Sequence, residues 1–229
     1  WGQQGNSDPL PGLYEYTPLL TMGTTTNNNL VFNGQEAQYI YQGTLPSPDL
    51  TWETIQQANI GLDAGFFNEK LTFTADVYEK RNKNMLASLN VPNIIGIGTS
   101  RRNVGELKSW GWELDAKWRD KIKAVRYNIG FNISDNQNEL LKYDGKNSIG
   151  DGGVVELLEG YPLNTLWGYK TDGYFQTQAE ADDYRAKVGG DVFSKLGAGD
   201  VKYIDLNGDG VLNAGEGTPE NHGELVYLG

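Results

Sequence analysis

Apolar and polar residues alternate along several segments of the chain, and this pattern predicts β-strands. A period of two places the apolar residues on one face of a strand and the polar residues on the other. The predicted strands lie near residues 52–67, 70–82, 108–120 and 125–138, and weaker candidates in a turn-rich region lie near 13–24 and 30–41. Short polar connections at 68–70 and 120–124 indicate two antiparallel hairpins. The segment 81–108 contains Pro92 and several glycines, so we expect a long loop between the hairpins.

The two faces of the four main strands differ in chemistry. Each apolar face continues without a charge for about nine residues, which at about 3.3 Å each and a tilt of about 45° span about 20 Å, close to the apolar band of an outer-membrane barrel. The opposite face is polar, as a water-filled lumen requires. The residues predicted to face the lumen are Asn59, Asp63, Thr72, Thr74, Asp76, Glu113, Asp115, Asn128 and Asn132. Phe66, Trp118 and Tyr127 lie near the short turns, where such a barrel carries an aromatic girdle.

Two fold classes fit this pattern. Connections that alternate between short and long favour an outer-membrane barrel, whose periplasmic turns are short and whose extracellular loops are long. A soluble β-sandwich also has alternating strands, but its apolar faces pack into a core. We predict an all-β fold in which antiparallel strands form part of a large transmembrane outer-membrane β-barrel, and the sandwich is the alternative.

The pattern divides the chain into two regions. Residues 1–143 are predicted to be a partial barrel wall with its loops, and residues 144–229 a long extracellular loop insertion. One short helix is predicted at 177–188, because Thr177 and Glu180 form a capping-box pair at its start.

A calcium-type loop is the one metal motif in the sequence. Residues 205–216 match the twelve-residue loop of the EF-hand, in which carboxylate, amide and backbone oxygens supply the hard donors that calcium prefers. The predicted ligands are Asp205, Asn207, Asp209, Val211 (through its carbonyl), Asn213 and Glu216. In an extracellular loop we expect a structural role and a dissociation constant on the order of 10⁻⁴ to 10⁻³ M. A turn rich in Asp, Asn and Gly that binds no ion is the alternative.

Composition excludes several function classes. The chain has 19 Lys and Arg against 30 Asp and Glu, a net charge of −11, which argues against a nucleic-acid partner. It has no cysteine, which excludes disulfides and thiol catalysis, and its one histidine, His222, is expected in an exposed loop. The sequence contains no apolar run of about 18 residues, so no transmembrane helix is predicted. The carboxylates on the polar faces of the strands are explained more simply as the lining of a lumen than as the catalytic pair of a glycosidase. We therefore expect no enzyme activity.

Short motifs in a fixed order carry a family resemblance. They are WGQQGN at 1–6, PDLTWE at 48–53, NIGLD at 59–63, NVGE at 103–106, GWEL at 111–114, YNIGFN at 127–132, EGYP at 159–162, GYKTDGYFQ at 168–176 and GDVKYIDLNGDG at 199–210. In this order they resemble the later barrel region of SusC/RagA-type TonB-dependent outer-membrane transporters.

The resemblance implies a barrel of about 22 strands around an internal plug. It also implies a SusD-like surface lipoprotein as a lid, import of oligosaccharides or peptides, and coupling to TonB through a segment not in this chain. The sequence opens at Trp1 without an initiator Met or a signal peptide, so a signal peptide is missing or was removed, or the chain is a piece of something longer. The resemblance favours the last of these, because the plug and the closing strands that it implies are not found in this sequence. The leading hypothesis is therefore part of a nutrient importer in contact with outer-membrane lipid. The alternative is a soluble, secreted, calcium-stabilised glycan-binding β-sandwich, which would bury the apolar faces that a barrel exposes to lipid.

Overall fold

The computed structural model of the chain describes residues 1–7, 16–23, 31–32, 35–36, 39–89, 94, 96–99, 101–188 and 195–229. These residues form two compact units, Trp1–Lys146 and Asn147–Gly229, each with its own sheets.

The first unit consists of β-strands. Its described strands are β1 (Gly2–Asn6), β2 (Leu20–Gly23), β3 (Val31–Phe32), β4 (Gln35–Glu36), β5 (Tyr39–Gln42), β6 (Thr44–Leu45), β7 (Glu53–Phe66), β8 (Leu71–Ser88), β9 (Gly98–Thr99), β10 (Arg101–Ile122) and β11 (Val125–Tyr143). Small pairs form between β2 and β5, between β3 and β4, and between β6 and β9. Short strands thus occupy parts of the weak candidates near 13–24 and 30–41. Residues 16–19 of the first candidate are not in a strand, and the remaining residues of both candidates lie outside the described part of the chain.

One antiparallel sheet dominates this unit, with the strand order β1-β7-β8-β10-β11. The two hairpins predicted from the alternation are confirmed: β7 pairs with β8 and β10 pairs with β11, each in continuous register next to a short turn. The first turn uses positive φ angles at Phe67, Asn68 and Glu69, and the second uses one at Lys123. Both short turns lie at the same end of the sheet, because the strands are antiparallel.

The prediction of a long loop at 81–108 is wrong for most of these residues. β8 continues to Ser88 and β10 begins at Arg101, and the two strands pair with each other through this region. The pairing register of the two strands shifts around Gly105, as at a β-bulge. Apolar and polar residues do not alternate in this part of β8 and β10. These parts of the strands extend beyond the apolar face, so polar residues are compatible with both sides of the sheet.

Strand β1 was also not predicted, because Gly2–Asn6 has no apolar alternation. A buried carboxylate helps to hold it in place. Glu53 is 4% exposed, and it accepts hydrogen bonds from the Leu86 N–H at 2.8 Å, from Asn82 Nδ2 at 3.1 Å and from Asn6 Nδ2 at 3.3 Å. One side chain of β7 thereby links β7 to both of its neighbours, β1 and β8.

The second unit has a small core of its own. Its elements are β12 (Gly153–Val155), β13 (Thr165–Tyr169), β14 (Thr171–Tyr174), α1 (Gln178–Lys187), β15 (Val201–Tyr203) and β16 (Leu225–Tyr227). β13 pairs with β12 and β16, and β14 pairs with β15. Leu158, Trp167 and Leu225 form the centre of the core. His222 is half-buried, with its ring 5.7 Å from that of Trp167. The prediction that this histidine is exposed is therefore wrong: it packs beside the core.

The short helix predicted at 177–188 is confirmed as α1. The Thr177 side chain caps it by accepting the Glu180 N–H at 3.2 Å, and Glu180 accepts the Gln176 N–H at 2.8 Å. These two contacts satisfy amide groups that have no partner within the helix. No helix among the described residues has the length and apolar character needed to cross a membrane.

Replacing Thr177 with Ala is expected to destabilise α1 by about 1 kcal/mol, because the Glu180 N–H loses its acceptor. Hydrogen exchange of the amides in 178–187 should accelerate several-fold. Thr177→Ser, which keeps the hydroxyl, should retain most of the protection. Equal exchange in the Ala and Ser variants would show that the cap contributes nothing.

Candidate functional site

One face of the five-stranded sheet carries a continuous band of apolar side chains that are exposed or half-buried. The register aligns the band in rows; in one of them, Leu62 is opposite Ala75, Ala75 is opposite Leu114 and Leu114 is opposite Ile133. The apolar band consists of Ile60, Leu62, Ala64, Phe66, Leu71, Phe73, Ala75, Val77, Trp112, Leu114, Ala116, Trp118, Ile129, Phe131 and Ile133. Ile60 is 76% exposed and Phe131 is 63% exposed. Such a large exposed apolar surface needs a nonaqueous contact.

Aromatic residues and ion pairs bound the band at both edges. At one edge Lys108 lies 5.1 Å from the ring centre of Trp110 and pairs with Glu79 at 3.1 Å. At the other edge the ring of Phe67 lies 5.9 Å from that of Trp118. The distance along β10 from Trp110 to Trp118 is about 26 Å, or about 20 Å across a membrane at a tilt of about 40°. This height is close to that of the apolar band of an outer-membrane barrel, about 25 Å, and the aromatic edges resemble its girdles.

All nine residues predicted to face the lumen lie together on the opposite face. Asp63 is opposite Thr74, Thr74 is opposite Asp115 and Asp115 is opposite Asn132. The same register places Asn59, Thr72, Asp76, Glu113 and Asn128 on this polar face. Gly61 is opposite Asp76, and a Cβ at Gly61 would lie only 2.3 Å from Asp76 Oδ1. The missing side chain at Gly61 therefore lets the carboxylate lie across the sheet.

An open groove of about 450 Å³ lies on the polar face. Its polar lining consists of Thr74, Asp76, Glu113, Asp115, Asn132 and Ser134. Lys117 pairs with Asp115 at 2.9 Å, and Thr74 donates to Asp63 at 2.7 Å. The groove offers hydroxyl, amide and carboxylate groups, which suit a polar ligand that can exchange hydrogen bonds along its length.

The calcium-type loop is folded by its own acidic side chains. The Asp205 carboxylate accepts the N–H groups of Gly208 at 2.7 Å and Gly210 at 2.9 Å. The Asp209 carboxylate accepts the Val211 N–H at 2.7 Å, and Asn207 Oδ1 accepts the Asp209 N–H at 2.8 Å. Gly208 and Gly210 both have positive φ angles, as the sharp turn requires.

Glu224, from outside the motif, joins this loop. Its side chain is fully buried, and one carboxylate oxygen, Oε2, accepts the Leu206 N–H at 2.7 Å. One carboxylate oxygen from each of Asp205, Asp209 and Glu224 lies within 4.8 Å of the other two. Burial raises the pKa of the Tyr184 hydroxyl, and the charges of Asp205 and Glu224 raise it further. The twelve-residue spacing gave no signal for Glu224, because only folding brings it to the loop.

The other predicted ligands are arranged differently. Asn213 Oδ1 accepts the Gly215 N–H at 2.6 Å, and the Asn213 carbonyl accepts the Glu224 N–H at 2.9 Å. Glu216 is exposed and does not belong to the carboxylate cluster. Its backbone N–H donates to the Asn221 carbonyl at 3.0 Å. The complete ligand set predicted from 205–216 therefore stays a prediction.

An antiparallel sheet with an exposed apolar band, aromatic edges and a polar opposite face defines the wall of an outer-membrane β-barrel. The chain belongs to the family described as TonB dependent receptor-like, beta-barrel, whose family model matches residues 10–219. The family resemblance and the fold class expected from the sequence are thereby confirmed. Members of this family are outer-membrane proteins.

Similar proteins support this assignment. TonB-dependent receptor SusC of Bacteroides thetaiotaomicron is 27% identical over 94% of this chain and 20% of its own length. A TonB-dependent receptor of Formosa agariphila is 26% identical over 86% of this chain and 20% of its own length. The solved structure of the RagAB peptide transporter matches with a TM-score of 0.61 and 28% identity, over 77% of this chain and 19% of that one. The chain therefore spans about a fifth of the length of the curated relatives it matches.

Proposed function

We propose that the chain forms part of the barrel wall of an outer-membrane importer of oligosaccharides or peptides. The observation that carries the proposal is the sheet with two unlike faces: an exposed apolar band of membrane dimensions and a polar groove behind it. The apolar band contacts lipid and the groove lines the lumen. A soluble glycan-binding sandwich would instead cover such a band with a second sheet.

The partners follow from the family. SusC and RagAB are relatives, and RagAB is a peptide transporter. We therefore assign to this importer a SusD-like surface lipoprotein as a lid and a peptide or oligosaccharide ligand, with coupling to TonB through another part of the protein. The chain itself binds and guides the ligand, and no residue in it makes or breaks a covalent bond.

The direction of the strands indicates which end of the sheet is periplasmic and which is extracellular. Both short turns lie at one end of the sheet, which corresponds to the periplasmic end of a barrel. β11 runs from the second short turn towards the other end, so the residues that follow Tyr143 begin at the extracellular end. Residues 144–229 are therefore proposed to lie outside the cell, where they can contact the lid or the ligand.

Adjacent residues on β11 allow a direct test of the two faces. Ser134 lines the groove and Ile133 belongs to the apolar band. In intact cells expressing the full-length importer without other cysteines, Ser134→Cys should react with a water-soluble maleimide. Ile133→Cys should be protected, because lipid covers it. Equal labelling of the two cysteines would contradict the barrel orientation.

Uptake gives the second part of the test. A strain lacking the importer should lose uptake of the ligand class that it carries, measured with labelled peptide and oligosaccharide mixtures. The transported ligand should also slow the labelling of Ser134→Cys. Recovery of the native protein in the soluble fraction, or unchanged uptake of both mixtures in the deletion strain, would refute the proposal.

A further inference from the structure

We propose that Asp205, Asp209 and Glu224 form the carboxylate core of a calcium site, with Glu224 rather than Glu216 as the closing carboxylate. The site lies entirely within the unit Asn147–Gly229. It differs from the EF-hand ligand set because its third acid comes from a segment beyond the twelve-residue loop.

The spacing of the oxygens fits the size of the ion. Calcium binds oxygen at 2.3–2.6 Å, so two oxygens on one calcium ion are separated by at most about 5 Å. Oxygens of all three carboxylates lie within 4.8 Å of one another, which meets this limit for every pair. Three acids at this spacing repel one another unless a cation lies among them.

An unpartnered buried oxygen gives independent support. Glu224 Oε2 accepts the Leu206 N–H, but Glu224 Oε1 has no hydrogen-bond partner although it is shielded from solvent. A buried carboxylate without a compensating partner is costly, and buried charges in proteins are paired or coordinate metals. A cation among the three acids supplies that partner.

The basic side chains described in this unit do not take that role. No salt bridge joins Asp205, Asp209 or Glu224 to a lysine or arginine in the described part of the chain, and Lys202 pairs instead with Asp172 and Glu180 at 3.4 Å. The donors available are all oxygens, which suits calcium better than a soft metal.

The site would connect the loop to the core of its unit. Glu224 directly precedes β16, and its neighbour Leu225 is fully buried in that core. A calcium ion bound by Asp205, Asp209 and Glu224 therefore cross-links the two ends of the segment 205–224. Removing the ion should loosen this segment and leave the five-stranded sheet of the other unit unchanged.

The test uses the full-length importer in detergent, stripped with a chelator and titrated with calcium. The readouts are terbium luminescence displaced by calcium and calcium-dependent protease protection of 205–224. We expect Glu224→Gln and Asp209→Asn to weaken calcium binding at this segment by about tenfold or more. Glu216→Gln, the matched control, should change it by less than about twofold. Equal concentrations of magnesium should not restore protection.

The results separate the alternatives. Loss of binding in Glu216→Gln with normal binding in Glu224→Gln would overturn the proposal in favour of the EF-hand set. Absence of any calcium effect on the native protein would also overturn it. Asp209 is exposed, so Asp209→Asn tests the site even where Glu224→Gln misfolds. Retained calcium protection in a folded Asp209→Asn protein would count against the site.

Discussion

Replacing Phe131 with Arg is expected to prevent most of the protein from assembling in the outer membrane. Phe131 is 63% exposed and lies near the middle of the apolar band, opposite Ala116. An Arg on the lipid face at the bilayer midplane costs about 2–4 kcal/mol. Because each 1.4 kcal/mol is tenfold, folding into lipid should fall by a factor of about 30 to 1,000. The measurement is refolding of the full-length protein from urea into lipid vesicles, supported by outer-membrane fractionation.

The matched control is Asn132→Arg, one residue further along β11. Asn132 lies on the polar face and lines the open groove, so an Arg there should remain in water. We expect nearly normal assembly, although ligand uptake should change because the groove gains a positive charge. An assembly defect in Asn132→Arg as large as that in Phe131→Arg would contradict the assignment of the faces.

Replacing Glu53 with Ala is expected to loosen the junction of β1, β7 and β8. The change removes one acceptor from the Leu86 N–H and from the amide groups of Asn82 and Asn6, in a site that is largely closed to solvent. Leaving buried donors unsatisfied costs about 1–3 kcal/mol each, and about 3 kcal/mol in total is a conservative expectation. The exchange rate of the Leu86 amide proton should rise by about 100-fold.

Two variants control this experiment. Glu53→Gln keeps one acceptor oxygen and should have an intermediate effect. Glu79→Ala removes a half-exposed acid that makes ion pairs with Arg81 and Lys108, and it should hardly alter the exchange of Leu86. Exchange at Leu86 that is equally fast in Glu53→Ala and Glu79→Ala would show that the buried carboxylate does not hold the junction.

The sequence alone determined the local features. Alternation placed the side chains of the four main strands on the correct faces, because a strand exposes successive residues to opposite sides whatever it pairs with. It also predicted both hairpins. Thr177 and Glu180 marked the helix start because capping depends on residues within one turn. The turn at 205–210 was predictable for the same reason, since most of its hydrogen bonds are local; the bond from the Leu206 N–H to Glu224 is the exception.

Only the tertiary structure decided the features that depend on distant partners. β1 forms because β7 offers it an edge and Glu53 offers it an acceptor, neither of which appears in Gly2–Asn6. β8 and β10 continue past the apolar band because they pair with each other, not because their own residues alternate. Glu224 joins Asp205 and Asp209 because β16 packs into the core next to the loop. The periodicity of a sequence indicates which side of a strand faces an apolar environment. It does not indicate which distant side chain or strand edge will lie next to that strand in the folded protein.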